Sequence, residues 1–344
     1  MFRRLLGALG LALILALQPL TMQSAAAQSG DTFYQGKTVN LIVGFTPGGN
    51  YDIYARLVAE FLGRHIPGNP QIQVQNRPGA GSLNAAQYVI SVAPNDGLAI
   101  GMTANALPLD QLLEGDKAAV DMKKVRWLGN LVELTSAVTL WHTAPAKTLD
   151  DMKKTEVVFG STGPAGETYM VPIVINELLG TKIKMVTGYP GINEVMLAME
   201  RGEIHGRSGS WSNVQQRPEW IREKKIIPLV QIGMRKHPDM ATLPLLTEIV
   251  TKPEDKPIAE LISATVAISR SLWVSPNVPE ARVKTLRAAF DAMVKDAEFV
   301  KTAGARNLEL SPSQGDAVEN QLRRVLDVKP EVADRMRKIL AAPK

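Results

Sequence analysis

Cysteine is absent from this 344-residue chain, which excludes disulfides, thiolate metal sites and cysteine nucleophiles. A chain of this length can bury enough surface to fold without disulfides, even in an oxidising compartment. Histidine is scarce. His65, His142, His205 and His237 are the full set, and none has the spacing of a metal motif such as HExxH. A serine-hydrolase elbow is missing too: Ser161 follows Phe159-Gly160, so no glycine stands two before it. Pro47-Gly48-Gly49 lacks the third glycine of a dinucleotide fingerprint. The chain therefore reads as a non-enzyme without cofactor or resident metal. Charge is also modest, 39 basic against 34 acidic residues for a net +5, which does not argue for nucleic acid. No internal repeat or low-complexity tract stands out.

Long apolar runs are confined to the start. Arg3 and Arg4 precede the apolar stretch Leu5–Leu20, and Ala25-Ala26-Ala27 offers a small-residue cleavage site. This is the pattern of a secretory signal, with cleavage expected after Ala27; the residues after Arg3-Arg4 do not complete a twin-arginine pattern. The apolar core is short for a membrane span, and no later stretch is long enough for one. The mature protein is expected in the periplasm, with a length that suits two domains.

What the chain has in quantity is alternation of strand and helix patterns. Val39–Phe45 reads as a strand buried on both faces, followed by the turn Pro47-Gly48-Gly49 and a helix over Asp52–His65 with Asn50 as its cap. Gln71–Asn76 reads as a strand, Ser82–Val92 as a helix capped by Ser82, and Leu98–Met102 as a strand. A second block repeats the logic. Glu156–Phe159 is a strand, Gly160–Gly166 a glycine-rich loop and Glu167–Leu179 a helix. Lys182–Val186 is a strand, Gly188-Tyr189-Pro190-Gly191 a turn and Ile192–Arg201 a helix; further strands open at Ile204 and span Ile226–Gln231. Helices are expected near Pro279, Pro312 and Pro330. Such alternation implies an α/β fold with parallel strands, whose ligands sit beyond the carboxyl ends of the strands. Facing the two blocks would place Thr46–Asp52 and Ser161–Thr168 on opposite walls of one cleft.

Four segments carry a family resemblance: IVGFTPGGNYDIYARLVA, QVQNRPGAGSLNAAQYVISVAPNDG, FGSTGPAG and GYPGINEVMLAMERGEI. In this order they resemble the signatures of the tripartite tricarboxylate transporter substrate-binding proteins, the Bug-type periplasmic receptors, across essentially the whole mature chain. The resemblance implies a two-lobe type II periplasmic-binding-protein fold with a ligand cleft between the lobes. One lobe would be 33–139 plus 269–344 and the other 140–268, with hinge strands at Val138–Trp141 and Ile268–Val274. It also implies a monomer that captures a small carboxylate and delivers it to integral-membrane transporter subunits. An alternative partner is a membrane sensor kinase. Gly44 stands where the family usually has proline, Asn50-Tyr51 replaces a smaller pair, Val74-Gln75-Asn76 lacks an acidic residue, and His205–Trp211 is atypical. The chain thus resembles a divergent branch.

The resemblance further implies that backbone N–H groups and small hydroxyls hold the carboxylate, a way to bind an anion without burying a full countercharge. Thr46, Pro47, Gly48 and Gly49 would serve one end; Ser161, Thr162, Gly163, Gly166 and Thr168 would serve the other. Asp52 is a pocket candidate or a first-turn acid. Asn105 follows the Leu98–Met102 strand, and Tyr189 and Gly191 sit on another turn between strand and helix. Arg207 could grip a carboxylate in bidentate fashion or lie on the surface. Trp211 could stack on a flat ligand or cover the core, and Met196 and Met199 read as core.

Overall fold

The computed structural model describes residues 32–114, 118–164 and 166–341. The signal segment and its cleavage site lie outside the described residues. Eleven strands are β1 (Thr38–Val43), β2 (Gln71–Asn76), β3 (Ala99–Met102), β4 (Arg126–Val132), β5 (Ser136–Trp141), β6 (Val157–Ser161), β7 (Ile183–Thr187), β8 (Gly206–Ser210), β9 (Ile226–Ile232), β10 (Ser269–Val274) and β11 (Ser313–Gln314). They form two sheets, ordered β11-β4-β10-β3-β1-β2 and β7-β6-β8-β5-β9.

Each sheet has the same logic. β1 runs parallel to β2 and β3, and β6 runs parallel to β7 and β8. Crossing strands then add antiparallel partners: β10 to β3 and β4, and β5 to β8 and β9. The apolar run Leu41-Ile42-Val43 is fully buried, as a strand covered on both faces requires.

The chain passes from the first sheet to the second between Val132 and Ser136, and returns at Ile268. The expected division at Thr139 and Leu140 falls inside β5. All of β5 pairs with β8 and β9, so sheet pairing moves that boundary back to 133–135. The C-terminal helix Pro330–Ala341 also departs from a one-lobe assignment. It packs on Glu167–Leu179 of the second lobe as well as on Leu107–Glu114 of the first. One apolar cluster accordingly runs from Ile42 through Ile262 and Met336 to Val174. Among the described residues no helix is long and apolar enough to cross a membrane.

Two expected cap bonds are absent. Asn50 is the first helical residue of Asn50–Phe61 rather than its cap, and the capping position falls to Gly49. Ser82 does hold the N-cap position of Leu83–Gln87, at φ +84°, but its hydroxyl makes no cap bond and instead accepts from the Ala104 N–H at 3.1 Å. The segment expected as one helix from Ser82 is a 3-10 turn, a short α-helix Leu83–Gln87 and a π-turn Tyr88–Val92. This conformation explains Gly44. A Cβ there would lie 1.5 Å from the Ser82 hydroxyl oxygen.

Candidate functional site

The loops after β1 and β6 face each other, and the lobes touch across the cleft between them. Thr46 Oγ1 donates to Glu194 Oε2 at 3.1 Å, Asn50 Nδ2 to Ser212 Oγ at 2.6 Å and Asn105 Nδ2 to Glu167 Oε2 at 3.0 Å. Gly81 N–H reaches the Thr162 carbonyl at 3.3 Å. Each pair joins one lobe to the other, so the conformation is closed.

Within the closed cleft lies a cavity of about 50 Å³, room for a few water molecules. Gly49, Asn105, Thr162, Gly166 and Thr168 line it, five of the residues expected from the sequence. The remaining expected residues lie outside the cavity wall. Thr46 and Gly191 meet each other instead: a Cβ on Gly191 would stand 2.0 Å from Thr46 Oγ1. Gly48 N–H donates to Asp52 Oδ2 at 2.8 Å. Asp52 also accepts from Asn76 Nδ2 and pairs with Arg56. Burial would raise the Asp52 carboxyl, but these three partners outweigh it and hold it below its usual range. Asp52 thus braces the Pro47–Gly49 turn.

The second loop is similarly occupied with itself. Thr162 N–H donates to Thr168 Oγ1 and Gly163 N–H to Ser161 Oγ, each at 3.1 Å, and Gly166 N–H goes to the Gly163 carbonyl at 3.0 Å. N–H groups expected to grip an anion therefore already have acceptors. Tyr189 packs beside Gly160 and the Val195–Met199 core rather than against the cavity. Trp211, Met196 and Met199 are core, and the Trp211 ring N–H donates to Asp239 Oδ2.

Arg207 is neither a surface residue nor a wall of the cavity. It is fully buried on β8, with Nη2 donating to the Ser210 carbonyl at 2.9 Å. Among the described residues Nε and Nη1 have no acceptor. Burial pushes its pKa down to about 10, opposed by the charge of Glu167. Gly209, which does line the cavity, separates it from that space: a Cβ on Gly209 would lie 3.4 Å from Arg207 Nη1.

The cation in the cavity wall is Arg270, which sequence reasoning did not single out. It is the second residue of β10 and holds φ +60°, a left-handed backbone that is uncommon outside glycine, and is only 3% exposed. Its guanidinium stacks 3.9 Å from the Tyr51 ring centroid, and Nη1 donates to Ser269 Oγ at 2.7 Å. Nε has no acceptor among the described residues. Burial pushes the Tyr51 hydroxyl up, while Arg270 opposes the shift and Glu167 adds to it. Glu167, Phe45, Asn50, Ser210 and Asn213 complete the polar and aromatic lining. The available signal for Arg270 was an arginine inside the otherwise uncharged hinge strand Ile268–Val274.

The two sheets and the cleft between them make the two-lobe fold of periplasmic binding proteins. In structure the chain is similar to the periplasmic binding protein BugD, with a TM-score of 0.71 at 17% identity over 89% of this chain and 98% of that one. It is also similar to MatC from Rhodopseudomonas palustris with bound malate, with a TM-score of 0.67 at 17% identity over 89% and 99%. An R. palustris protein with adipate gives 0.68 at 16% identity over 89% and 97%. In sequence it is 27% identical over 260 residues to a UPF0065 protein of Cupriavidus necator, covering 72% of this chain and 74% of that protein. A UPF0065 protein of Bordetella bronchiseptica is 26% identical over 53% of this chain and 54% of its own length. No protein-family model matches. The chain is thus similar in sequence to UPF0065 proteins and in fold to solved periplasmic binding proteins such as BugD and MatC.

Proposed function

We propose that the protein is an exported receptor that captures a small organic acid between its lobes and presents it to a tripartite tricarboxylate-type membrane transporter. It works without chemistry. The observation that carries this reading is Arg270: a guanidinium buried in the wall of an interlobe cavity, with a nitrogen that no acceptor among the described residues satisfies. A buried cation without a counter-charge is costly, and an anion delivered to it recovers that cost. The malate and adipate held by structures of the same fold support an acid as that anion.

The cavity is too small to admit such an acid as it stands, so the interlobe bonds must open and close again around the ligand. The loops after β1 and β6 act as matched lobe contacts, while the carboxylate pairs with Arg270. The test is a thermal-shift screen of carboxylates against neutral sugars and simple amines. Binding to the folded state raises the melting temperature by mass action, about 2.7 kcal/mol at a hundredfold excess over Kd. A shift by sugars or amines alone would refute an acid receptor.

A further inference from the structure

The cavity wall holds two opposite charges that do not pair with each other. Glu167 belongs to the second lobe, at the start of the helix Glu167–Leu179, and Arg270 belongs to the first. Both line the same space, and no ion pair within 4.0 Å joins them among the described residues. Glu167 Oε2 takes the Asn105 amide, but the buried Oε1 has no donor among the described residues. Arg270 Nε is the matching buried donor without an acceptor.

A ligand with carboxylates alone would satisfy Arg270 and set a like charge against Glu167. A molecule carrying both a carboxylate and an ammonium satisfies both. We infer that the acid taken by this cleft is amino-substituted: its carboxylate pairs with Arg270 and its ammonium with Glu167. This rests on the organic-acid reading above and narrows it. Closure is then linked to recognition, because the ligand would tie a cation of one lobe to an anion of the other. Asn105 holds Glu167 in place from the first lobe through a bond that forms only when the lobes meet. Its carboxamide is itself fixed by the Val266 carbonyl, to which Nδ2 donates at 3.3 Å, and by the Tyr51 hydroxyl, which donates to Oδ1 at 3.5 Å. Three groups around the cavity are thus held by protein contacts, and two of its lining residues, Arg270 and Glu167, each keep one buried atom without a partner among the described residues.

The test is calorimetric titration of matched trios that differ in one substituent: propionate, lactate and alanine; succinate, malate and aspartate; glutarate, 2-hydroxyglutarate and glutamate. In at least one trio the amino acid is expected to bind tenfold or more tighter than both partners. Glu167→Gln keeps the shape and an acceptor for Asn105, and is expected to erase that preference while a melting curve reports an intact fold. Arg270→Gln is expected to abolish binding of every member. Equal or tighter binding of the unsubstituted or hydroxy acids, unchanged by Glu167→Gln, would overturn the inference and leave the acid receptor standing. Binding of a simple amine with no acid bound would overturn both.

Discussion

A Cβ on Gly163 would lie 2.8 Å from the backbone nitrogen of Gly81 on the opposite lobe, closer than side chains approach backbone. Gly163 also holds φ +139°, where L residues are strained. Closure therefore depends on a missing side chain. Gly163→Ala is expected to keep the lobes apart and cost about 1–3 kcal/mol in backbone strain. Ligand affinity should fall tenfold or more. X-ray scattering with saturating ligand should give a larger radius of gyration than the parent; an unchanged radius would show that the contact does not gate closure.

Asp52 ties the first cleft loop to its helix through Gly48, Asn76 and Arg56. Asp52→Asn should cost roughly 1–3 kcal/mol, the range for losing a buried charge-assisted partner. The carboxyl sits below its usual value of 3.8 in the folded chain. Its stabilisation is therefore complete above that value and is lost as pH falls through the lowered one. Urea unfolding across the acid range should give a pH slope for the parent that the variant lacks.

A second titrating pair lies where the lobes join. The His237 ring Nε2 is 2.7 Å from Glu309 Oε1; His237 follows β9 in the second lobe and Glu309 precedes β11 in the first. The Glu309 bond raises His237 above its usual 6.5 and, in turn, lowers Glu309 below its usual 4.5. The histidine contribution is fully present below 6.5 and is lost as pH rises through the raised value. The glutamate contribution is present above 4.5 and lost as pH falls through the lowered one. Stability contributed by the pair should therefore peak in weak acid and decline toward alkaline pH. His237→Gln should flatten that decline, as read by denaturant midpoints at several pH values.

Among the described residues Arg207 is buried without a carboxylate partner, in contrast to the ion pairs of the surface. Replacing a buried, poorly paired charge by an apolar chain of similar length often stabilises, by about 1–4 kcal/mol. Arg207→Met is expected to raise the melting temperature. It should also weaken acid binding, because the guanidinium stands just behind Gly209 of the cavity wall. A lower melting temperature would mean that Arg207 contributes more to folding than its contacts indicate.

Much of the fold was legible because it rests on local patterns. The apolar run of β1, the bounds of β2 and the helix Glu167–Leu179 follow from periodicity and flanking turns. The lobe boundary was misplaced by a few residues because a crossing strand is assigned by its partners, and pairing is not local. The two cap expectations failed for a related reason: Asn50 and Ser82 bond across the fold to Ser212 and Ala104 rather than to their own helices. At the cleft, the chosen loops supply five residues of the cavity lining, but several of their expected donors are already bonded within the protein. Asp52, Ser161 and Thr168 take N–H groups that a local reading leaves free. Arg270 and Glu167 were not singled out because each reaches the cavity wall only when distant segments converge on it.

The most direct measurement is the crystal structure of the protein with a bound small acid. The ligand is expected between the lobes, with its carboxylate within hydrogen-bond distance of the Arg270 guanidinium and the Asn105–Glu167 bond formed over it. An acid lodged on one lobe alone, or enclosed by both with no contact to Arg270, would contradict that mode of capture.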